Sequence, residues 1–538
     1  MRRYLHDLVS QAAADSPASL ALTFADRSLD YQQLWEEIRA VGIGLQRLGV
    51  NRGDRVAVFL DKRIETVSGI FGTSAAGAVF VPINPLLRPR QVSYIMGDCD
   101  VRVLITSKER YELLREDLNE LKALEFVVLI NDAADAATGT SYTLSWWAEL
   151  TTDRESEPVA RDVIDIDMAA ILYTSGSTGS PKGVVISHRN LISGAESVAD
   201  YLHNEPSDVI LAALPLSFDA GFSQLTTAFS SRAQVVLVNY LLPSDVVKAC
   251  AKHGVTGLTC VPPLWIQIAD QKWPEEATKS LRYFANTGGR MPRATLDKLR
   301  SLFPNALPYL MYGLTEAFRS TYLDPSEVDR RPSSIGKAIP NAEILVVRPD
   351  GSICDPNEEG ELVHRGALVA LGYWNDPERT AARFRPAPNR ADGIKTTELA
   401  VFSGDAVVRD EDGFLYFVGR KDEMIKTSGY RVSPAEIEEV VYDTGQVGDA
   451  VAFGVPDETL GQSVVIAVSP RPGASLDTKA LLAELRKQLP LYMLPRRVVV
   501  RDELPRSPNG KFDRTRLREE ITEEIAGEIE TSTSGAKA

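Results

Sequence analysis

The stretch Ala169-Ala170-Ile171-Leu172-Tyr173-Thr174-Ser175-Gly176-Ser177-Thr178-Gly179-Ser180-Pro181-Lys182-Gly183-Val184 joins an apolar, strand-like run to a loop of small and hydroxylated residues that closes on a lysine. Gly176 and Gly179 permit tight turns and close approach of backbone amides to an anion. Thr174, Ser175, Ser177 and Thr178 add hydroxyl donors and Lys182 adds positive charge, so the composition suits a polyphosphate. The loop is not a Walker A sequence, because Gly176 is followed at the required distance by Pro181-Lys182 and not by Gly-Lys-Ser/Thr. The other reading of such a composition is a flexible Ser/Gly surface loop.

On both sides of this loop the chain alternates between two periods. Leu34–Val50 has apolar residues at helical spacing, Arg55–Leu60 is a short β-rich run, Thr66–Ala76 is helical again, and Val79–Ile83 returns to strand character. Beyond Arg161 the same pattern recurs, with turn residues between the segments. This alternation predicts an α/β fold of layered sheets with helices on their faces. After Gly419 the character changes to a smaller α+β unit, whose apolar runs include AVAFGV and SVVIAV. The predicted division is residues 1–418 as a large core, 419–422 as a short charged connection, 423–516 as a second domain, and 517–538 as an acidic tail. That tail carries six glutamates against one arginine over Leu517–Glu530 and reads as a solvated helix fading into disorder.

With 538 residues and 44% hydrophobic content the chain has ordinary globular composition and divides into several folding units at about 100–200 residues each. Its formal charge of −15 gives no global support to nucleic-acid binding. Cys99, Cys250, Cys260 and Cys354 are far apart in sequence and suggest neither zinc site nor disulfide framework, which fits a reducing cytoplasm. No continuous 18-residue apolar run predicts a membrane span.

Further motifs follow the loop in order: Tyr312-Gly313-Leu314-Thr315-Glu316, Ser403-Gly404-Asp405, Gly419-Arg420-Lys421-Asp422, and Pro505-Arg506-Ser507-Pro508-Asn509-Gly510-Lys511. Together they resemble the signature set of the adenylate-forming superfamily of acyl-CoA synthetases and nonribosomal-peptide adenylation domains. The resemblance spans nearly the whole chain and implies a large N-terminal layered α/β domain with a small mobile C-terminal α+β domain. It is nearest to the exosortase-associated AMP-forming acyl-CoA ligase group and to freestanding adenylation enzymes, through Asp61–Thr66, Pro82–Leu87, Leu216–Asp219 and Glu316–Tyr322.

Carried over residue by residue, the resemblance implies that Thr174, Ser175, Gly176, Ser177, Thr178, Gly179 and Lys182 clamp the phosphates of ATP. Tyr312 and Gly313 would lie against adenine, with Gly288, Gly289 and Arg290 along its edge. Thr315 would offer a hydroxyl to phosphate and Glu316 an oxygen to Mg²⁺. Asp405 would accept from the ribose hydroxyls, with Arg420 nearby. Lys511, Glu316 and Thr174 are the candidate catalytic residues, Lys511 stabilising charge as the carboxylate attacks the α-phosphorus. Asp422 would be the hinge about which the small domain rotates, and Gly429 would line a tunnel for a phosphopantetheine thiol, unless it is a surface-turn glycine.

The acyl pocket implied by the same comparison contains Asp219, Ala220, Ser223, Cys260, Ala285, Thr287, Met311, Arg319 and Ser320. Asp219 reads as an anchor for an amino acid's ammonium or as a helix cap. Arg319 reads as a grip for an anionic substrate group, as a partner of Asp219, or as a solvent-reaching side chain. The expected activity is ATP-dependent adenylation of a small carboxylic acid, favouring an amino acid, followed by transfer to the phosphopantetheine thiol of CoA or of a separate carrier protein. A fatty- or aryl-acid CoA synthetase is the alternative.

Overall fold

A computed structural model describes residues 2–130, 140–159, 162–174, 181–289, 291, 293–388, 393–420, 424–432, 434–471, 475–505 and 513–535. The alternation read from the sequence becomes helix Tyr31–Arg47, strand Arg55–Phe59, helix Ile64–Ala75 and strand Val79–Pro82, the two strands pairing in parallel. The chain divides into two compact units, one of Met1–Thr174 with Lys182–Lys421 and one that runs from Asp422 to the C-terminus.

Two sheets build the first unit. One holds the strands Arg55–Phe59 and Val79–Pro82 together with Met168–Thr174 and Lys182–Ser187, the strands that flank the glycine-rich loop. The other is centred on five neighbouring parallel strands, Gln234–Leu237, Val209–Ala212, Gly257–Cys260, Tyr283–Asn286 and Leu307–Tyr312. Parallel pairing sets their carboxyl ends on one edge, the usual place for ligands in an open α/β sheet. Helix Asp219–Ser231 is buried at every residue from Gly221 to Phe229, as expected of a helix with apolar neighbours all round. Its Phe222 ring lies 5.1 Å from Phe80 and 6.1 Å from Phe71, side chains of the other sheet and its helix, so this helix packs the two layers together.

In the second unit the strands Val447–Asp457 and Gly461–Pro470 form a long antiparallel pair, with Arg497–Val500 alongside the latter in parallel. Successive residues of a strand point to opposite faces. Val464, Ile466 and Val468 accordingly meet Ile437, Val441, Leu481 and Leu485 from helices Pro434–Asp443 and Thr478–Gln488. Val465 and Ala467 face the other way with Val451, Phe453 and Val455. A run that is apolar at every position needs cover on both faces. That second cover is helix Arg514–Gly535, whose Leu517 and Ile521 are each 1% exposed.

This corrects the expectation that the chain leaves the folded unit at residue 517. The helix is also tied by its charges: Arg514 pairs with Glu438 and donates to the Ala452 carbonyl at 2.8 Å, and Arg501 pairs with Glu524. Leu517→Ala is expected to lower the unfolding free energy of this unit by about 2–5 kcal/mol, the usual cost of emptying a buried leucine site. Urea unfolding followed by circular dichroism checks it, and an unchanged midpoint would return Leu517 to a solvated tail.

Candidate active site

The strands flanking the glycine-rich loop pair so that Thr174 stands opposite Lys182. Both ends of the loop are therefore fixed side by side by sheet hydrogen bonds. Ser175, Gly176, Ser177, Thr178 and Gly179 lie outside the described residues, as do Arg290, Asp422 and Lys511 and the Arg420 side chain. The Thr174 hydroxyl is buried and has no hydrogen-bond partner among the described residues.

Lys182 reaches across to the edge of the other sheet. Its ammonium donates to Glu316 Oε1 at 3.0 Å and to the Tyr373 hydroxyl at 2.9 Å, and that hydroxyl in turn donates to the same Glu316 oxygen at 2.6 Å. Glu316 is buried in the short turn Thr315–Ala317 that follows strand Leu307–Tyr312. Tyr373 belongs to strand Gly372–Tyr373, which pairs with the strand carrying Lys182 and so places the ring 4.3 Å from the ammonium. Burial and the adjacent Glu316 carboxylate hold the Tyr373 phenol far above its ordinary range, so it stays a donor. Tyr373 carries no motif in the sequence; only strand pairing brings it here.

Tyr312, at the carboxyl end of its strand, donates to Asp405 Oδ2 at 2.5 Å. Asp405 sits on strand Leu399–Arg409 in register with Arg420 on the neighbouring strand. Its backbone amide donates to Ser403 Oγ, whose hydroxyl donates to the Leu362 carbonyl. Tyr312 and Asp405, 93 positions apart in the chain, are thereby joined at one place. Gly313 follows Tyr312 directly, and Gly288 and Gly289 follow the adjacent strand Tyr283–Asn286, where Asn286 Nδ2 donates to the Gly289 carbonyl at 2.8 Å.

Asp219 is the first residue of its helix, and the N-cap position belongs to Phe218. From there its carboxylate accepts from the Ala220 backbone amide of the same first turn. Oδ2 accepts from Arg319 Nη1 at 3.0 Å and Oδ1 accepts from the Thr315 hydroxyl at 3.4 Å. Burial pushes the Asp219 carboxyl above its ordinary value, against the pull of the Arg319 guanidinium. Of the three readings of Arg319, its pairing with Asp219 is the geometry observed. Solvent exposure is excluded, since Arg319 is 2% exposed.

Behind this pair lies a cavity of about 20 Å³. Ala220, Ser223, Met311 and Arg319 line it as expected from the sequence. Cys260, Ala285, Thr287 and Ser320 are buried but do not line it, and the Ser320 hydroxyl is engaged with His364 Nδ1 at 2.9 Å. Thr227, one helical turn beyond Ser223, and the adjacent Gln224 add polar groups, the former at a spacing that the sequence displays once the helix is known. Thr259, Tyr283 and Val198 come from separate elements and leave no local signal.

Gly429 lies in the second unit, between strands Ile425–Thr427 and Tyr430–Val432. Ser428 and Gly429 have φ of 53° and 80°, the left-handed pair that a two-residue hairpin turn requires. The turn by itself accounts for glycine there.

Replacing Tyr373 by Phe removes one donor from Glu316 and one acceptor from Lys182. Tyr373→Phe is expected to lower kcat/KM for ATP by about ten- to a hundredfold, the worth of a hydrogen bond to a charged group. Steady-state kinetics in ATP checks this, and an unchanged value would make the hydroxyl a bystander.

The chain matches the family model described as AMP-binding enzyme over residues 9–374 and that described as AMP-binding enzyme C-terminal domain over 436–511. It is 30% identical to a long-chain-fatty-acid–CoA ligase of Salmonella typhimurium, with 96% of this chain and 93% of the relative covered. It is likewise 30% identical to an indoleacetate–CoA ligase of Aromatoleum aromaticum, over 96% and 98% of the two chains. Among solved structures, the amide bond synthetase McbA from Marinactinospora thermotolerans superposes with a TM-score of 0.83 at 23% identity, over 96% of this chain and 99% of that one. No helix among the described residues is long and apolar enough to cross a membrane. The protein is an adenylating acid–thiol ligase, and the chain belongs to the AMP-binding enzyme family.

Proposed function

We propose that the enzyme adenylates a small, polar-substituted carboxylic acid and passes the acyl group to the phosphopantetheine thiol of CoA. The observation that carries this reading is the acyl-side cavity of about 20 Å³, with Arg319 and the hydroxyl-bearing Ser223, Thr227 and Thr259 in its wall. A long alkyl chain would leave the buried Arg319 Nε–H without an acceptor, whereas the Ser223 and Thr227 hydroxyls already pair with each other at 3.4 Å. The volume also has room for little more than one small group, since a single water needs about 10–15 Å³ on the same measure.

An amino acid would need Asp219 for its ammonium, and that carboxylate is engaged by Arg319 at 3.0 Å. Recruiting it would break a buried ion pair, which costs about 3–5 kcal/mol when one partner loses its counter-charge. The CoA-ligase reading is therefore preferred to amino-acid loading of a carrier protein. It also agrees with the named activities of the two relatives.

In the first half-reaction a carboxylate oxygen attacks the α-phosphorus of ATP, the new O–P bond forms, and the bond to pyrophosphate breaks. The carboxylate is already ionised near neutral pH, so no general base is required. Lys182 and the glycine-rich loop are assigned to the phosphates, Tyr312 to adenine, and Asp405 to the ribose, where Tyr312 would orient its carboxylate. A single buried carboxylate, Glu316, fits Mg²⁺ arriving on ATP, because that ion is held by one or two carboxylates together with waters and phosphate oxygens. When bound, the ion would neutralise charge on the phosphates. Lys511 is assigned to the charge that gathers on the α-phosphate. In the second half-reaction the thiol gives up its proton to solvent, its sulfur forms a bond to the acyl carbon, the acyl carbon–oxygen bond to the phosphate breaks, and AMP leaves.

Lys511→Ala is expected to slow acid-dependent ATP–pyrophosphate exchange by at least about a hundredfold, a typical loss when one preorganised charge-stabilising group is removed. Thioester formation from preformed adenylate should stay within a few-fold of wild type. Equal losses in both half-reactions would remove Lys511 from the adenylation step.

A further inference from the structure

Arg319 is among the largest fully buried side chains in the protein, and its position is bought at a visible cost. The preceding residue, Phe318, has φ 58° and ψ −71°, close to the rare and strained γ-turn. Its ring fits only because residue 194 is glycine: a Cβ there would come within 2.6 Å of Phe318 Cδ1. The strained turn aims the Phe318 carbonyl at Arg319 Nη1, 3.1 Å away, and Nη1 also serves Asp219. One edge of the guanidinium is thus held by two acceptors.

The other edge is not held. Arg319 Nε is buried and has no hydrogen-bond partner among the described residues. An orphaned guanidinium N–H carries a desolvation cost that a native site recovers when a ligand supplies the acceptor. The side chain lines the same cavity as the Ser223, Thr227 and Thr259 hydroxyls. Asp219 already balances the charge of Arg319, so a second anion would leave net negative charge among Val198, Leu202 and Ile210. A neutral oxygen supplies the missing acceptor without that penalty.

We propose that Arg319 is a specificity-determining residue that binds a neutral acceptor oxygen carried by the acid beyond its reacting carboxylate. The substrates are then short hydroxy or keto acids. This rests on the acid–thiol ligase reading of the same site and names the class of acid that it takes.

Acids of matched length separate the possibilities: butyrate, 3-hydroxybutyrate, acetoacetate, succinate and 2-aminobutyrate, with dodecanoate as the long-chain control. ATP–pyrophosphate exchange and CoA thioester formation are measured with the full-length enzyme, with Arg319→Met and with Arg319→Lys. Wild type is expected to prefer 3-hydroxybutyrate or acetoacetate over butyrate by about ten- to a hundredfold in kcat/KM, the value of a hydrogen bond from a charged donor. Arg319→Met should bring that ratio to about one, and Arg319→Lys should retain part of it. A wild-type ratio of one, a preference for succinate, 2-aminobutyrate or dodecanoate, or an unchanged ratio in Arg319→Met would each overturn the assignment. If Arg319→Met does not fold, the wild-type and Arg319→Lys ratios still decide. Thioester formation with butyrate alone would refute the proposal and leave the ligase reading intact, whereas no exchange with any acid would sink both.

Discussion

The buried pair of Asp219 and Arg319 is the constraint around which the proposed acyl side of the enzyme is arranged. Asp219 opens the helix that packs the two sheets of the first unit together, and Arg319 lies two residues past the turn Thr315–Ala317 that carries Glu316. Neither charge could be buried alone, since an isolated ion in a low-dielectric interior costs several kcal/mol. Each therefore fixes the other, and the helix start and the turn are held in one register. The result is a cavity, proposed above to take the acid, whose polarity is set by one guanidinium and a few hydroxyls, with the carboxylate nearest to it already committed.

A second polar contact does the same for the side assigned to the nucleotide. Lys182, Glu316 and Tyr373 share hydrogen bonds across the gap between the two sheets, and Glu316 is only three residues from Arg319. The two polar groups therefore meet in one short turn. Displacing that turn would disturb the proposed phosphate and acid contacts together, so under that proposal acid binding and adenylate chemistry share one element.

The α/β alternation, the strand leading into the glycine-rich loop and the smaller C-terminal unit were legible because local periodicity and glycine placement write them directly into the chain. Tyr312 and Asp405 were legible as motif residues, although their direct hydrogen bond was not. What the sequence hides is whatever tertiary pairing creates. Tyr373 reaches Glu316 through a two-residue strand, and which of the three readings of Arg319 holds is decided only by its meeting Asp219 from 100 positions away. Thr259 and Tyr283 enter the cavity wall from separate parallel strands. The misreading of residue 517 onward has a different cause. Its glutamates outnumber its few apolar residues, yet Leu517 and Ile521 fall on one helical face, and the apolar run Val464–Val468 needed cover on both sides. Composition outweighed periodicity there.

The central claim is that this ligase takes a short acid whose neutral oxygen satisfies Arg319. Incubating the full-length protein with ATP, Mg²⁺ and a pooled set of acids, without thiol, traps the enzyme-bound adenylate for identification by mass spectrometry. The account predicts the adenylate of a short hydroxy or keto acid. An adenylate of an unsubstituted long-chain acid, or of an amino acid, would contradict it.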